Sequence, residues 1–569
     1  MKLAEYISFA NKVKKENQYE KKINICILRS FTCEMLESML ITNCYNDGYV
    51  TNIHLGKYNQ FFSEALNASS DIYATNPDIF MLAIRIEDFY PVIFDEYYTE
   101  LPAMEDHIEN ICSQIYSVIE SINKHSKTTI LLNSFTRPYF EPSGIYLEQS
   151  SFSVENIINR INIRLNSILS VFNNVYFVGV ENIIRELGLS NSYDLKMWNI
   201  AKNPYSFKFY ELLALKYSQY VSSLYGKRKK CIVLDLDNTL WKGVAAETGY
   251  NNIVMHREFQ RQLKFLNQSG ILLAISSKNN EADVMPVLKD HPDMILKHGD
   301  FVCFKINWNN KADNIKLISE ELNIGLDSII FIDDNAMECD LVKTFLPEVD
   351  VYCLPDNELL YPDVVKNLKY VDALALTDED LNKTSLYLSQ SSRKELKDNS
   401  VDLISYLRNL KMEIFIESIT DFNISRVTQL VQKTNQFNMT AKRFTQEEIH
   451  DLIQCGYIIY VLSLKDKFGS NGVTGVIIIK QDSNDWLIEN FILSCRIMGR
   501  NVEYAFMAYI FQEAMKNNIK DIKGIYVPTS KNAPVKDLYK NMGFDGVSDI
   551  WQKSVNDTFE LPDYIKIER

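Results

Sequence analysis

The run CIVLDLDNTLW, residues 231–241, constrains the chain more than any other stretch. Cys231 to Asp235 reads as a buried strand, an apolar run without polar alternation. It ends on two carboxylates, Asp235 and Asp237, followed by a hydroxyl at Thr239. Strand side chains alternate faces, so these three can project together beyond a strand end. Two carboxylates this close repel each other unless a cation or a proton lies between them. The arrangement suits a Mg²⁺ site, a carboxylate nucleophile and a proton-transfer partner in one place. A strand leading into an Asp-Asn turn would carry the same letters without chemistry, so the surroundings must decide.

With 569 residues the chain exceeds what one core organises, and about three domains are expected. Its formal net charge of −14 argues against nucleic acid as a partner. No apolar run approaches a membrane span, and the first 22 residues lack the apolar core of a signal peptide. Ten cysteines occur without CxxC spacing. A reduced cytoplasmic protein, with neither paired-cysteine zinc nor a membrane partner, is expected.

Apolar strands alternate with amphipathic helices along most of the chain, which predicts an α/β multidomain protein. Residues 1–225 form the first region, with strands at INICILRS, IFMLAIRI, TTILLNSF and VYFVGV. Residues 226–360 form the second, with CIVLDL, ILLAIS, MILK and SIIFID as strands. The polar stretch 361–410 reads as a helical connector. Residues 411–569 form the third region, with strands MEIFIESI, YIIYVLSL, GVTGVIII and WLIENFIL before a helix near Asn501.

In the second region polar residues follow successive strands: Ser276 and Ser277 after ILLAI, Asp333 and Asp334 after SIIFI. Ligands of open parallel sheets bind beyond the carboxyl ends of the strands, so these groups should converge with Asp235 and Asp237. Lys311 could reach the same point. Asp235, Asp333 and Asp334, with the Asp237 carbonyl, supply oxygen ligands for Mg²⁺. Thr239, a serine hydroxyl and Lys311 could hold phosphate oxygens. Asp235 could then attack phosphorus while Asp237 serves as acid and base.

These residues resemble the haloacid-dehalogenase (HAD) superfamily of Mg²⁺-dependent phosphatases: DLDNT its first motif, Ser277 its second (Ser276 the alternative), Lys311 its third, IDD its fourth. LDLDNTLWKG, LLAISSKNNEAD, INWNNKADNI and FIDDNAMEC resemble the FkbH-like branch more closely. That resemblance implies an SGNH-like α/β region, a HAD-like Rossmannoid parallel sheet and a GNAT-like mixed α/β region in succession. It implies a glyceryl transferase/phosphatase that takes 1,3-bisphosphoglycerate, removes phosphate and loads glyceryl onto the phosphopantetheine arm of an acyl carrier protein, for polyketide or related biosynthesis. A stand-alone Mg²⁺-dependent phosphatase with a binding-only third region is the alternative. Three positions depart from the family pattern: Lys242 in WKG, a short segment after Gly243, and Ser276 where many members carry Cys.

In the third region the turn Arg496-Ile-Met-Gly499-Arg500 resembles the pyrophosphate loop of GNAT-type acyltransferases, with Asn501 in place of the last small residue. Arg496 and Arg500 are the expected phosphate contacts. Cys495 is the candidate acyl-carrying thiol, activated by the adjacent guanidinium and helix start; a core cysteine is the plainer reading. KRKK at 227–230 is a candidate patch for docking the carrier protein. The first region resembles SGNH hydrolases, with Ser30 and Ser134 after strands and Asp194 late in the region. Met197 stands where those enzymes carry the histidine, so a degenerate, structural or docking role is expected.

Overall fold

The computed structural model describes residues 1–15, 22–95, 101–141, 144–398, 402–482, 484–547, 549–557 and 559–568. The chain divides into two compact units, Met1–Ser222 and Ser223–Arg569. Together they make a mixed α/β multidomain architecture.

The first unit carries a parallel sheet of β1 (Lys22–Arg29), β2 (Val50–Leu55), β3 (Ile79–Ala83), β4 (Thr129–Asn133) and β5 (Val175–Val178) in the order β2-β1-β3-β4-β5. Cys26, Leu28, Phe80 and Leu82 pack on one face against the helices Leu101–His125 and Val154–Leu169. Sequence periodicity does not reveal β2. Its residues VTNIHL mix polar and apolar side chains, because β2 is an edge strand paired only to β1.

The second unit holds two larger sheets. The first contains β6 (Cys231–Leu234), β9 (Leu272–Ser277), β10 (Phe301–Ile306), β11 (Ile329–Asp333) and β12 (Asp350–Cys353) in the order β10-β9-β6-β11-β12, all parallel. A two-stranded ribbon of β7 (Trp241–Lys242) and β8 (Val254–Met255) follows β6. Ile232 and Leu234 enter the core on one face of the sheet, Cys231 and Val233 the core on the other. Burial on both faces is why β6 is apolar without alternation. MILK is not a strand: Gln260 Oε1 accepts the Ile295 and Leu296 amides in a turn, and FVCFKI forms β10 instead. Of its three apolar residues, Met294 and Leu296 are buried in the turn and Ile295 is half-buried.

The last sheet contains β13 (Met412–Ser418), β14 (Ile458–Asp466), β15 (Gly469–Asp482), β16 (Asp485–Leu493), β17 (Asp521–Ile525), β18 (Asp545–Val547), β19 (Ile550–Ser554) and β20 (Ile565–Glu568). Their order is β18-β19-β17-β16-β15-β14-β13-β20. The β13–β16 run is antiparallel, and the β16–β17 step is parallel. The helix Val502–Lys516 joins β16 to β17. Asn501 starts that helix in the left-handed region at φ 59°, a conformation asparagine tolerates better than most side chains.

The polar stretch 361–410 forms helices Tyr361–Lys366, Asp378–Leu381, Lys383–Asp398 and Leu403–Leu410. It is built into the second unit by a buried ion pair. Arg393 Nε and Nη2 donate to Asp466 Oδ2 and Oδ1 at 2.8 and 2.9 Å, and Arg500 Nη1 donates to the same carboxylate at 3.2 Å. Removing Arg393 leaves the buried Asp466 carboxylate with only the longer contact to Arg500 as a charged partner. Arg393→Ala is expected to destabilise the second unit by roughly 3–5 kcal/mol. Denaturant unfolding of the full chain, followed by fluorescence, measures the loss.

Candidate active site

Parallel pairing of β6 with β11 brings the carboxyl ends of both strands to one edge. Asp235 and Asp333 extend from them, and oxygens of Asp235, Asp333 and Asp334 lie within 4.8 Å of one another. Among the described residues, no other group of His, Cys, Asp or Glu is gathered in this way. Lys311, first residue of the helix Lys311–Leu322, reaches in from the side. Its Nζ lies 2.5 Å from Asp333 Oδ2 and 3.1 Å from Asp235 Oδ2.

Burial lowers the pKa of the Lys311 ammonium, but Asp235 and Asp333 outweigh it and the net shift is upward. Asp333 is pushed up to about 7 by burial and by Asp235, against the pull of Lys311. Asp334 is raised by burial and by Asp235 as well. One ammonium therefore does not compensate three carboxylates. Asp235 Oδ1 is buried and, among the described residues, has no hydrogen-bond partner. An unpaired buried carboxylate oxygen facing two more carboxylates fits a divalent cation.

Thr239 lies in this cluster, its Oγ1 donating to Asp334 Oδ1 at 3.3 Å. The Asp237 side chain turns away from it. Asp237 Oδ1 accepts from Trp241 Nε1 at 2.8 Å and from the Ala245 amide at 3.0 Å, which fixes the carboxyl under the ribbon that follows β6. The Asp237 carboxyl is therefore not among the gathered carboxylates. Ser277, buried at the end of β9, accepts from Asn279 Nδ2 at 2.9 Å. Ser276 is equally buried, and its Oγ is unpartnered among the described residues. Lys242 is exposed and paired with Glu358 at 2.9 Å.

Cys495 belongs to a different place. It opens the short turn Cys495–Ile497 after β16, and its carbonyl accepts from Asn323 Nδ2 at 2.8 Å. Asn323 caps the C-terminal end of the helix that Lys311 begins. Twelve residues of helix make about 18 Å, so the thiol and the carboxylates lie at opposite edges of the parallel sheet. Cys495 lines a cavity of about 730 Å³ within the second unit. Tyr387 and Arg426 lie close enough to Cys495 to interact with it electrostatically. The sequence offered no sign of either residue, because both sit on helices whose polar faces read as solvated.

Arg496 is 5% exposed and donates through Nε to Ser494 Oγ; Arg500 is 4% exposed and held by Asp466 and the Arg496 carbonyl. Arg500 is not among the residues that line the cavity. The gap beside β16 is filled by the chain itself. β16 pairs with β17 only over Asp485–Ile488. Beyond that, the Met439 amide donates to Phe491 O, Leu493 N to Phe437 O, and Val527 N to Met439 O. The segment 437–439 thus takes the main-chain groups that the parting strands would leave open. KRKK also faces inward. The Arg228 side chain is 6% exposed and Lys229 is buried, with Lys229 Nζ donating to Asp327 O, and Lys230 Nζ donates to Lys433 O.

In the first unit, Ser30 Oγ donates to Asp88 Oδ2 at 3.0 Å and accepts from the Arg85 amide. Ser134 Oγ accepts from the Val180 amide, and Asp194 caps the helix Leu195–Ala201 through the Met197 amide. The structure uses these three polar side chains in local hydrogen bonds, with no histidine among their partners in the described residues.

Neither a protein-family model nor a curated protein matches the sequence. Among solved structures, the chain is similar to the N-terminal part of the protein BF1531 from Bacteroides fragilis, described as containing a phosphatase domain and complexed with Mg. The two share 24% identity at a TM-score of 0.60, over 65% of this chain and 99% of that one. This likeness shows a common fold. A putative GNAT-family acetyltransferase from Desulfovibrio desulfuricans matches at 11% identity over 25% of this chain and 99% of that one, with a TM-score of 0.22. The ribosomal-protein-S18-alanine N-acetyltransferase from Escherichia coli matches at 12% over 26% and 96%, with a TM-score of 0.21.

The raised pKa of Asp333 sets a pH dependence. Its folded value lies above the unfolded one, so the folded chain binds more protons than the unfolded chain between about pH 4 and pH 7. The stability tied to that proton is lost as pH rises through 7, and a divalent cation can take the proton's place. Stabilisation by Mg²⁺ is therefore expected to be full near about pH 8 and to fade by about pH 5, with affinity falling roughly tenfold per unit below 7. Thermal melts across a Mg²⁺ titration at each pH read this out.

Proposed function

We propose that the chain is a Mg²⁺-dependent phosphatase coupled to acyl transfer, a glyceryl transferase/phosphatase of the FkbH-like kind. The observation that carries the phosphatase half is the buried Asp235–Asp333–Asp334 cluster around Lys311 at the carboxyl edge of a parallel sheet. Mg²⁺ bound by Asp235, Asp333, Asp334 and the Asp237 carbonyl would draw charge from the phosphate oxygens. Asp235 bonds to phosphorus through one carboxylate oxygen as the bond to the leaving oxygen breaks. Asp237, held apart by Trp241 and Ala245, gives the leaving oxygen its proton. It then takes a proton from the water that hydrolyses the aspartyl-phosphate. Lys311 holds Asp235 in place and offsets charge on the phosphate.

In the acyl half, the Cys495 sulfur would form a bond to the activated carbonyl of 1,3-bisphosphoglycerate as the acyl–phosphate bond breaks and phosphate leaves. The thiol of a carrier protein's phosphopantetheine arm would then take the acyl group and return the thiol to Cys495. With about 18 Å between the two sites, one bound substrate does not touch both. Phosphate removal and thioester formation are separate events in this reading. The same separation favours a second reading, a phosphatase whose far cavity only binds.

Intact-mass spectrometry with 1,3-bisphosphoglycerate, Mg²⁺ and a holo carrier protein separates the two. Glyceryl mass on the carrier, lost in Cys495→Ala while phosphate release persists, is the expected result. Phosphate release without carrier acylation under any condition leaves the second reading. Asp235→Asn is expected to lower phosphate release by at least about 10³-fold. Near-normal release from that variant would remove the phosphatase assignment from both.

A further inference from the structure

The 730 Å³ cavity that holds Cys495 has a charge imbalance which the carboxylate site does not explain. Eight Lys or Arg residues line it against three acidic ones, Asp327, Glu348 and Asp380. Asp327 is matched by Lys531 at 2.5 Å. Lys229 is matched by Asp350 at 3.1 Å. Asp380 is left as the near counter-charge for Arg228 and Lys433, each 3.4 Å away, and it also acts on Lys383 and Arg426. Asp380 thus faces Arg228 from the lead-in to β6, Lys383 from the connector and Lys433 from the helix Ile424–Lys433, with Asp372 acting on Arg228 as well.

Uncompensated charge in a buried place is costly, and groups respond by losing protons. Burial draws the Lys433 ammonium down to about 7, against Asp380 and with Arg228 and Arg426 adding to the fall. Lys383 lies well below its usual value through burial and the neighbouring Lys433 and Arg228. Asp380 is correspondingly lowered: burial opposes it, and Lys433 and Arg228 prevail. Ile324, Leu326, Leu430, Ala533 and Pro534 form an apolar part of the wall, beside polar residues such as Asn323, Asn435 and Ser494. A volume of this size suits a small organic ligand.

We propose that this cavity binds an organic phosphate at Arg228, Lys383 and Lys433, its uncharged body against the apolar wall that also carries Cys495. A dianion there would supply the counter-charge that Asp380 alone does not. The site lies at the amino edge of the parallel sheet and uses none of the residues of the Asp235 cluster. It stands apart from the proposed phosphatase chemistry. It also avoids the gap beside β16, which the chain's own residues 437–439 occupy.

The test is calorimetric titration of the full-length Asp235→Asn chain in EDTA, where the carboxylate cluster neither turns over nor holds metal. The probes are phosphopantetheine, 3-phosphoglycerate, inorganic phosphate, and the phosphate-free pantetheine and glycerate. Saturable binding of a phosphorylated probe is expected, absent for its phosphate-free counterpart. It should weaken at least ~tenfold in Lys433→Gln and recover in Lys433→Arg, which keeps the charge. Tighter phosphopantetheine identifies a carrier arm as the source of the phosphate, and tighter phosphoglycerate identifies the acyl donor. No binding by any phosphorylated probe overturns the proposal. So does equal binding of the phosphate-free compounds, or binding that Lys433→Gln leaves unchanged. Each of these outcomes leaves the phosphatase reading standing, since it is measured without metal and without turnover.

Discussion

Crowding of like charge at one sheet edge is the constraint from which the second unit follows. Asp235 and Asp333 end neighbouring parallel strands, and Asp334 comes with the second of them. Three carboxylates in a buried corner cannot all ionise against a single Lys311, and the raised pKa of Asp333 records that conflict. A fold tolerates such a corner where a cation or a proton resolves it. The apolar core of the sheet on both faces holds the strands rigidly enough to keep the conflict in place.

The carboxylate site was legible because its residues follow strands that are apolar without interruption. Asp235, Thr239, Lys311, Asp333 and Asp334 are brought together as strand ends in a parallel sheet must be. Other features were hidden for identifiable reasons. β2 is an edge strand with a mixed pattern, and FVCFKI, which forms β10, follows closely on the shorter apolar run MILK. The turn of Asp237 toward Trp241 depends on the ribbon after β6, which no local spacing encodes. Arg500 sits in a motif that reads as phosphate-binding, yet its partner Asp466 lies 34 residues away at the end of β14.

The connector is the least legible part. Its composition reads as solvated helix, and much of its surface fits that reading. Asp380, Lys383, Tyr387 and Arg393 nevertheless point inward, into the cavity or onto Asp466. A charged residue in a polar stretch is anonymous until its partner is known, and each of these partners is distant in the chain. The same holds for KRKK, whose Arg228 and Lys229 side chains are buried beside Asp380 and Asp350 rather than offered to a partner protein.

The helix from Lys311 to its cap at Asn323 has one end on the carboxylates and the other on the Cys495 turn. It acts as a ruler inside the molecule. The span between the two places is fixed by turns of helix instead of by loops that could shorten under selection or on binding. Anything that must visit both has to be carried on something long enough to cover that span, or leave and return. The length of a swinging arm thereby becomes a property the protein can select for, alongside the chemistry at its tip.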